Sequence, residues 1–217
     1  MKVVKRHGPG KVTRRERALG TNRRIMNVAY ELFCERGYAA TTMAEIAEAA
    51  GVAVQTVYFG FHTKPALLSR AYEIAVGGEA EPLIPEQQPW YAEMRATPDI
   101  TAALRAFITG SGEIIRRVTP LYFAVRVAAD ADPDAARVMA LHENGRAAGY
   151  RDSLELLRTK AEFRPGLSLE RAIDLLLLFV GPDVYHALVN GRGWSHDEWI
   201  DWTVSAVAEQ IFACATS

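Results

Sequence analysis

The run from Thr42 to Lys64, TMAEIAEAAGVAVQTVYFGFHTK, constrains this chain more than any other stretch. Thr42 followed three residues later by Glu45 has the form of a capping box, which opens a helix. Met43, Ile46, Ala47 and Ala50 recur at helical spacing, and Gly51 supplies a turn. A second helical pattern, about Ala53 to Phe61, follows at once. Set out at 100° per residue, Ala53, Val54, Val57 and Phe61 share one side. Gln55, Phe59 and His62 lie opposite, with Thr56 and Tyr58 on the flanks. Two short helices meeting at a glycine turn, the second with a polar and aromatic outer face, form the layout of a helix-turn-helix. That motif places its second helix in the major groove of DNA.

The flanking sequence extends the helical pattern. Ile25, Val28, Ala29, Leu32 and Phe33 form one apolar stripe, which predicts a helix from Thr21 to Arg36, capped by Thr21 or Asn22 and ended by Gly37. Thr63 is placed to cap a fourth helix over 64–76, with Pro65 in its first turn, where a missing N–H costs nothing. Gly77-Gly78 stops it. The stretch up to Asp99 contains Pro82, Pro85, Pro89 and Pro98 and reads as irregular. Beyond it, helical patterns cover about 99–117, 120–129, 133–160, 168–190 and 195–213. Alternating β-branched runs bounded by hairpin turns are absent. The expected fold is all-α: a basic arm (1–20), a three-helix DNA-binding unit (21–63) and a larger helical body (64–217) in which the helix 64–76 is the connector.

Charge supports a polyanion at one end. Residues 1–24 carry nine Lys and Arg against Glu16 alone, a net of +8, whereas 25–217 carry a net of −9. A basic arm beside a helix-turn-helix suits phosphate contact, because each neutralised phosphate releases counterions. Cys34 and Cys214 fit neither a disulfide framework nor a zinc spacing, so a reducing, cytoplasmic setting is expected. The start has no apolar core of a secretory signal. The most apolar run, 173–180, is well short of the ~18–20 residues of a membrane span, so no membrane partner is expected.

The outer face of the third helix carries chemistry that reads bases. Gln pairs bidentately with adenine, Thr donates to a base or meets a thymine methyl, and an aromatic packs on methyl or sugar. Tyr58 and Lys64 suit phosphate oxygens, which fix register without reading sequence. The first N–H groups after Thr42, with its hydroxyl, offer a further anion site.

Here GVAVQTVYFGFHTKPALL resembles the signature of the tetracycline-repressor (TetR) family of one-component regulators, and TTMAEIAEAAG and IMNVAYELFCERGY resemble its first two helices. The resemblance covers about residues 20–75. It implies a homodimer that binds a palindromic double-stranded DNA operator and is released by a small molecule held in the C-terminal body. By position it assigns Thr42, Tyr58 and Lys64 to phosphate, and Val54, Gln55, Thr56 and Phe59 to the groove, with His62 beside them. Val54 departs from the polar reader common at its position. Gly60 departs from a bulky residue and weakens its helix by about 1 kcal/mol relative to alanine.

In the body, the resemblance implies a partner-facing surface on the last two helices, built from Leu176, Val180, Val184, Leu188, Trp199, Trp202, Val207 and Ile211. The same residues also suit a monomer core. The expected cavity lining is Phe107, Tyr122, Phe123, Arg126, Tyr150 and Tyr185, with Arg126 either anchoring an anionic ligand or pairing with Asp130. No cofactor or metal is expected. The pairs His142–Glu143, Asp183/His186 and His196/Glu198 match no catalytic or HExxH pattern, and the chain lacks a phosphate loop or nucleophile elbow, so an enzyme is not expected. The competing reading is a helical adaptor that no longer binds DNA.

Overall fold

The computed structural model describes residues 14–78 and 87–213. The helices are α1 (Arg14–Arg36), α2 (Met43–Ala49), α3 (Val54–Phe61), α4 (Lys64–Gly77), α5 (Pro89–Ala96), α6 (Ile100–Ala129), α7 (Pro133–Arg158), α8 (Leu169–Phe179), α9 (Pro182–Tyr185) and α10 (His196–Ile211); a π-helical turn, His186–Asn190, continues α9.

The start of α1 corrects the sequence reading. Thr21 and Asn22 lie inside the helix and do not cap it, and residues 14–20 of the expected arm are helical. Residues 1–13 of that arm lie outside the described residues, as does Cys214. Ile25, Ala29 and Phe33 are fully buried, as their spacing requires. The capping box at α2 is present with both its bonds, and Gly51 takes φ +64 after it. Thr63 accepts from the Ala66 N–H at the head of α4, and Gly78 ends α4 at φ +81.

Three helices of the body differ from expectation, each at a proline. Pro89 opens α5, because a first-turn proline gives up no helical bond. Pro120 lies inside α6, a single 30-residue helix where two were expected. An internal proline removes one ladder bond and crowds the preceding turn. Two hydroxyls bond to carbonyls of that region: Tyr30 Oη donates to Arg117 O at 2.7 Å and Thr119 Oγ1 to Ile115 O at 2.6 Å. Pro182 ends the expected 168–190 helix: α8 stops at Phe179 with Val180 as its C-cap, Gly181 is extended, and α9 restarts with Pro182 in its first turn. A Cβ at Gly181 would lie 2.4 Å from Leu177 O, so only glycine fits this break. By length and composition Leu169–Asn190 is apolar enough to cross a membrane; here it is interrupted at its middle and packs through Ala172, Ile173, Leu176, Val180 and Tyr185 into the core.

Two apolar clusters organise the chain. One joins α1–α4 to the C-terminal half of α6 and the start of α7, through Val118, Leu121, Tyr122, Val125, Ala135 and Val138. The other joins α5, the N-terminal half of α6, the end of α7 and α8–α10.

Candidate nucleic-acid interface and ligand cavity

The outer face of α3 is built as its residue pattern demands. Val57 and Phe61 are buried against α1 and α2, and Val54 packs half-buried beside them. Gln55 is exposed, Thr56 half-buried, and Phe59, at 87% exposure, is the barest large apolar side chain described. Tyr58 is half exposed. Gly60, which looked like a weakness, sits against α1: a Cβ there would come within 3.1 Å of Asn22 Oδ1, so the glycine permits close approach. Arg24 Nε donates to Ala50 O at 2.9 Å and ties α1 to the end of α2. Neither contact was expected from the sequence.

Thr42 is committed locally. Its backbone N–H and its hydroxyl both donate to the Glu45 carboxylate, at 2.8 and 2.7 Å, and Arg36 lies 3.6 Å from the same group. Glu45 itself therefore occupies the anion position at the head of α2, and these bonds hold its carboxyl below the usual range. The first cause is the Thr42 hydroxyl. Lys64 reaches back to Ala39 O at 3.4 Å, with its ammonium 4.1 Å from the centre of the Tyr38 ring. Partial burial lowers its pKa. The ammonium thus stands at the edge of the α3 face, on an aromatic plate.

His62 joins α3 to α4 in an unusual way. It has φ 61 and ψ −51, and the Thr63 N–H donates to Phe61 O at 2.6 Å across it. This is a γ-turn of the strained hand. Replacing His62 by glycine removes the Cβ penalty. The expected result is a gain of about 1 kcal/mol in stability, read as a higher Tm; an unchanged or lower Tm would show that the imidazole repays the strain.

A candidate ligand cavity of about 270 Å³ lies between α4, α5, α6 and α7, with Pro182 of α9 in its wall. Of the expected lining, Phe107 and Tyr150 are there. Tyr122, Phe123, Arg126 and Tyr185 are not. Tyr122 is buried in the first cluster and donates to Asp183 Oδ2 at 3.1 Å. Arg126 is bonded to Asp183, not Asp130, and covers the Phe123 ring at 4.2 Å. Tyr185 is core, its hydroxyl 3.1 Å from His196 Nδ1. The sequence reading missed Tyr72 and Val76 of α4, Trp90 of α5, and His142, Glu143 and Arg146 of α7. Trp90 lies flat on the backbone of Gly110, where a Cβ would fall 2.1 Å from its Cγ. It meets Phe107 edge-on at 6.0 Å, and Phe107 meets Tyr150 at 5.8 Å.

The polar groups of the wall are mostly satisfied. Arg146 donates through Nε and Nη2 to Glu143, the latter at 2.5 Å, and through Nη1 to Leu177 O and Val180 O at 3.0 and 3.2 Å. Tyr150 donates to Val180 O at 2.6 Å, and burial pushes its pKa up to about 12. His142 Nε2 is 3.2 Å from Ser69 Oγ, its ring stacks on Tyr72 at 4.4 Å, and burial lowers its pKa. The Tyr72 hydroxyl is buried with no hydrogen-bond partner. His142 and Glu143 thus serve separate partners, as do Asp183 and His186, the latter stacked on Phe123 at 4.3 Å. Glu198 completes the capping box of α10 with Ser195. Among the described residues no three His, Cys, Asp or Glu side chains gather as a metal site.

The surface expected for a partner is only partly available. Leu176, Val180, Trp199, Val207 and Ile211 are fully buried within the single chain and pack its own core. Hydrophobicity alone does not separate a core from an interface, which is why the sequence left both readings open for these residues. Val184, Leu188 and Trp202 are half-buried, and Leu178, 54% exposed, lies on α8 among them in sequence.

Comparison with known proteins places this geometry. Residues 25–71 match the model of bacterial regulatory proteins of the tetR family. The HTH-type transcriptional regulator AcrR of Shigella flexneri is 36% identical over 61 residues, a match that spans 28% of this chain and only 28% of that protein's length. Over the whole fold, NalD of Pseudomonas aeruginosa, the secondary repressor of the MexAB-OprM multidrug efflux pump, superposes with a TM-score of 0.66 at 19% identity, covering 90% of this chain and 98% of NalD. The fatty acid degradation regulator FadR of Bacillus halodurans does so with a TM-score of 0.69 at 15% identity, covering 94% and 96%. With its all-helical fold, the chain carries at residues 25–71 a segment that matches bacterial regulatory proteins of the tetR family, and its fold as a whole is similar to those of NalD and FadR.

Proposed function

We propose that the chain is a transcriptional repressor: a homodimer that binds a palindromic operator through α3 and leaves it when a small molecule occupies the cavity. The observation that carries this reading is the exposed Gln55–Tyr58–Phe59 face of α3, held on a buried Val57–Phe61 base. A rigid helix with bare hydrogen-bonding and apolar groups is the form that direct readout requires. NalD and AcrR, both regulators by name, give the reading its precedent.

The linkage between sites runs through α4. Tyr72 and Val76 line the cavity, and α4 begins one residue after the turn that ends α3. Its C-terminal end is clamped to α6, where Arg117 Nε donates to Ala75 O at 2.8 Å and Nη2 to Val76 O at 3.1 Å. Ser69 ties its middle to His142 of α7. A ligand that displaces Tyr72 and Val76 tilts α4 and re-aims α3. In a dimer the two α3 helices must match grooves ~34–36 Å apart, so a small tilt shifts the population to a state that does not fit. Operator and ligand then weaken each other by the same factor.

The dimer surface in this reading is the outward side of α8 and α10, with Leu178, Phe179, Trp202 and Ala206. Phe179 and Trp202 meet edge-on at 6.0 Å and border a shallow groove. Leu178→Asp places a charge on this exposed position and is expected to convert dimer to monomer at micromolar concentration, as read by analytical ultracentrifugation. A variant that sediments as a dimer would move the interface elsewhere.

The test of the function is selection of randomised duplex DNA by the purified protein at two salt concentrations. Recovery of a palindrome, with affinity falling steeply with salt, supports the repressor. Failure to recover any motif, with or without a cavity ligand, favours the adaptor.

A further inference from the structure

The cavity is long for its volume. On α6 its lining runs from Phe107 to Val118, and on α7 from Leu141 to Ser153. At ~1.5 Å per residue that is roughly 16–18 Å of helix, and about 270 Å³ spread along it makes a slot. Leu141, Gly145, Gly149 and Ser153 recur at every fourth position of α7 and all line it, so one strip of the helix follows the slot from end to end. The strip passes from Leu141, 60% exposed, through exposed Gly145 and half-buried Gly149 to buried Ser153. The slot is therefore open at Leu141 and closed at Ser153. Neither glycine has a positive φ, and a Cβ at either would meet nothing within 4 Å. Gly60, Gly110, Gly112 and Gly181, by contrast, are each crowded by a neighbour. A glycine inside a helix costs stability relative to alanine, and no contact among the described residues requires these two. What they keep clear is the floor of the slot. Beside them Arg146 is bonded to Glu143, Leu177 O and Val180 O, and Tyr150 to Val180 O, so that side is fixed and offers no free charge.

We infer that the slot takes a single extended hydrocarbon chain, laid along the bare backbone of α7 at Gly145 and Gly149, with its tail toward Ser153 and its head group at the open Leu141 end. The inference rests on reading the cavity as the effector site. Such a chain buries apolar surface along its whole length and covers Leu141 at the mouth. The site then selects by chain length, and the head group, left in water, counts for little. The open end is also where α7 meets α4, through the Ser69–His142 contact, so occupancy is felt on the helix that leads to α3.

The experiment is titration of the full chain, without DNA, by hexan-1-ol, octan-1-ol, decan-1-ol and dodecan-1-ol, read by tryptophan fluorescence, since Trp90 lines the slot. Affinity is expected to rise about fourfold per added methylene. Cyclododecanol, with the carbons of dodecan-1-ol but no extended form, is expected to bind at least about tenfold more weakly, because a compact ring cannot follow the wall. Dodecanoate and dodecyltrimethylammonium, below their micelle concentrations, are expected within about fivefold of the alcohol, because their charges are not buried. Trp90→Phe should abolish the fluorescence response and so place the chain in this cavity. Gly149→Leu blocks the strip midway and is expected to cut the gain from octan-1-ol to dodecan-1-ol to less than about tenfold. The milder Gly145→Ala/Gly149→Ala variant is expected to melt higher while binding dodecan-1-ol at least about tenfold more weakly; it carries the test if Gly149→Leu does not fold. The inference is overturned by affinity that does not rise with chain length, by cyclododecanol or either ion as the tightest ligand, by a response that survives Trp90→Phe, by a double-alanine variant that melts lower or binds as the parent does, or if no alcohol binds. DNA selection is a separate measurement. A chain that takes long alcohols along the glycine strip but recovers no motif loses the repressor reading and keeps this one. A chain that recovers a palindrome but ignores chain length does the reverse.

Discussion

Replacing Gln55 and Tyr58 together with alanine is expected to lower affinity for the selected operator about a hundredfold while leaving the fold intact. Each base or phosphate contact of this kind is worth about 1–3 kcal/mol, and two independent losses multiply. Both side chains are exposed, away from the core that Val57 and Phe61 anchor. The single variants should separate. Gln55→Ala should relax the preference at one base position. Tyr58→Ala should weaken all sequences alike, because phosphate contacts carry no sequence information. Neither removes a cation, so the slope of affinity against salt should hold. Lys64→Ala is the contrast, expected to reduce that slope by about one counterion. Gel-shift titrations at several salt concentrations read all three. Operator affinity unchanged in the double variant would exclude α3 as the reading helix.

The second large effect is on stability. Trp199→Ala is expected to cost about 3–5 kcal/mol, a fall in Tm of roughly 6–20 °C for a chain of this size. Trp199 is fully buried and is the largest such side chain described. It meets Tyr185 edge-on at 5.0 Å and stacks near His196 at 6.1 Å. It also rests on Gly112 of α6, where a Cβ would lie 2.9 Å from its ring. The Nε1–H has no partner, so Trp199→Phe forfeits volume but no hydrogen bond and should cost far less. Were Trp199 an interface anchor, as the family resemblance implied, the alanine variant would instead become monomeric with its melting little changed. Differential scanning calorimetry with sedimentation separates the two.

The contrast between these two sites shows what can be read from a chain. The α3 face was legible because everything that shapes it is local. The cap at Thr42, the turn at Gly51 and the 3.6-residue period of Val54, Val57 and Phe61 lie within one short window. Even there the tertiary details escaped. Gly60 makes sense only beside Asn22, and the γ-turn at His62 has no residue signature. The prolines misled in both directions. Pro89 and Pro120 read as breaks, yet one starts a helix and the other is tolerated near the hydroxyls of Tyr30 and Thr119. Pro182, set in an apolar run, was passed over although it ends α8. The cavity was the least legible feature. Its wall draws on five helices, and no spacing in one dimension brings Tyr72, Trp90 and Arg146 together. Phe107 and Tyr150 were found as aromatics. Tyr72, which also lines it, sat in a helix read as a connector.

The span of α6 has a consequence for building hybrids. At 30 residues it runs ~45 Å, with Leu104, Phe107 and Ile108 in one apolar cluster and Leu121, Tyr122 and Val125 in the other. Cutting between Thr63 and Lys64 to graft the first three helices onto another body would leave α1 without Leu67, Leu68, Ala71 and Tyr72 of α4 and without Val118, Leu121 and Val125 of α6. A transplant that respects the packing carries the C-terminal half of α6 and the first turns of α7 along with residues 14–78. The portable unit of this fold is discontinuous in the chain, and exchange of N-terminal units by simple end-joining is correspondingly disfavoured.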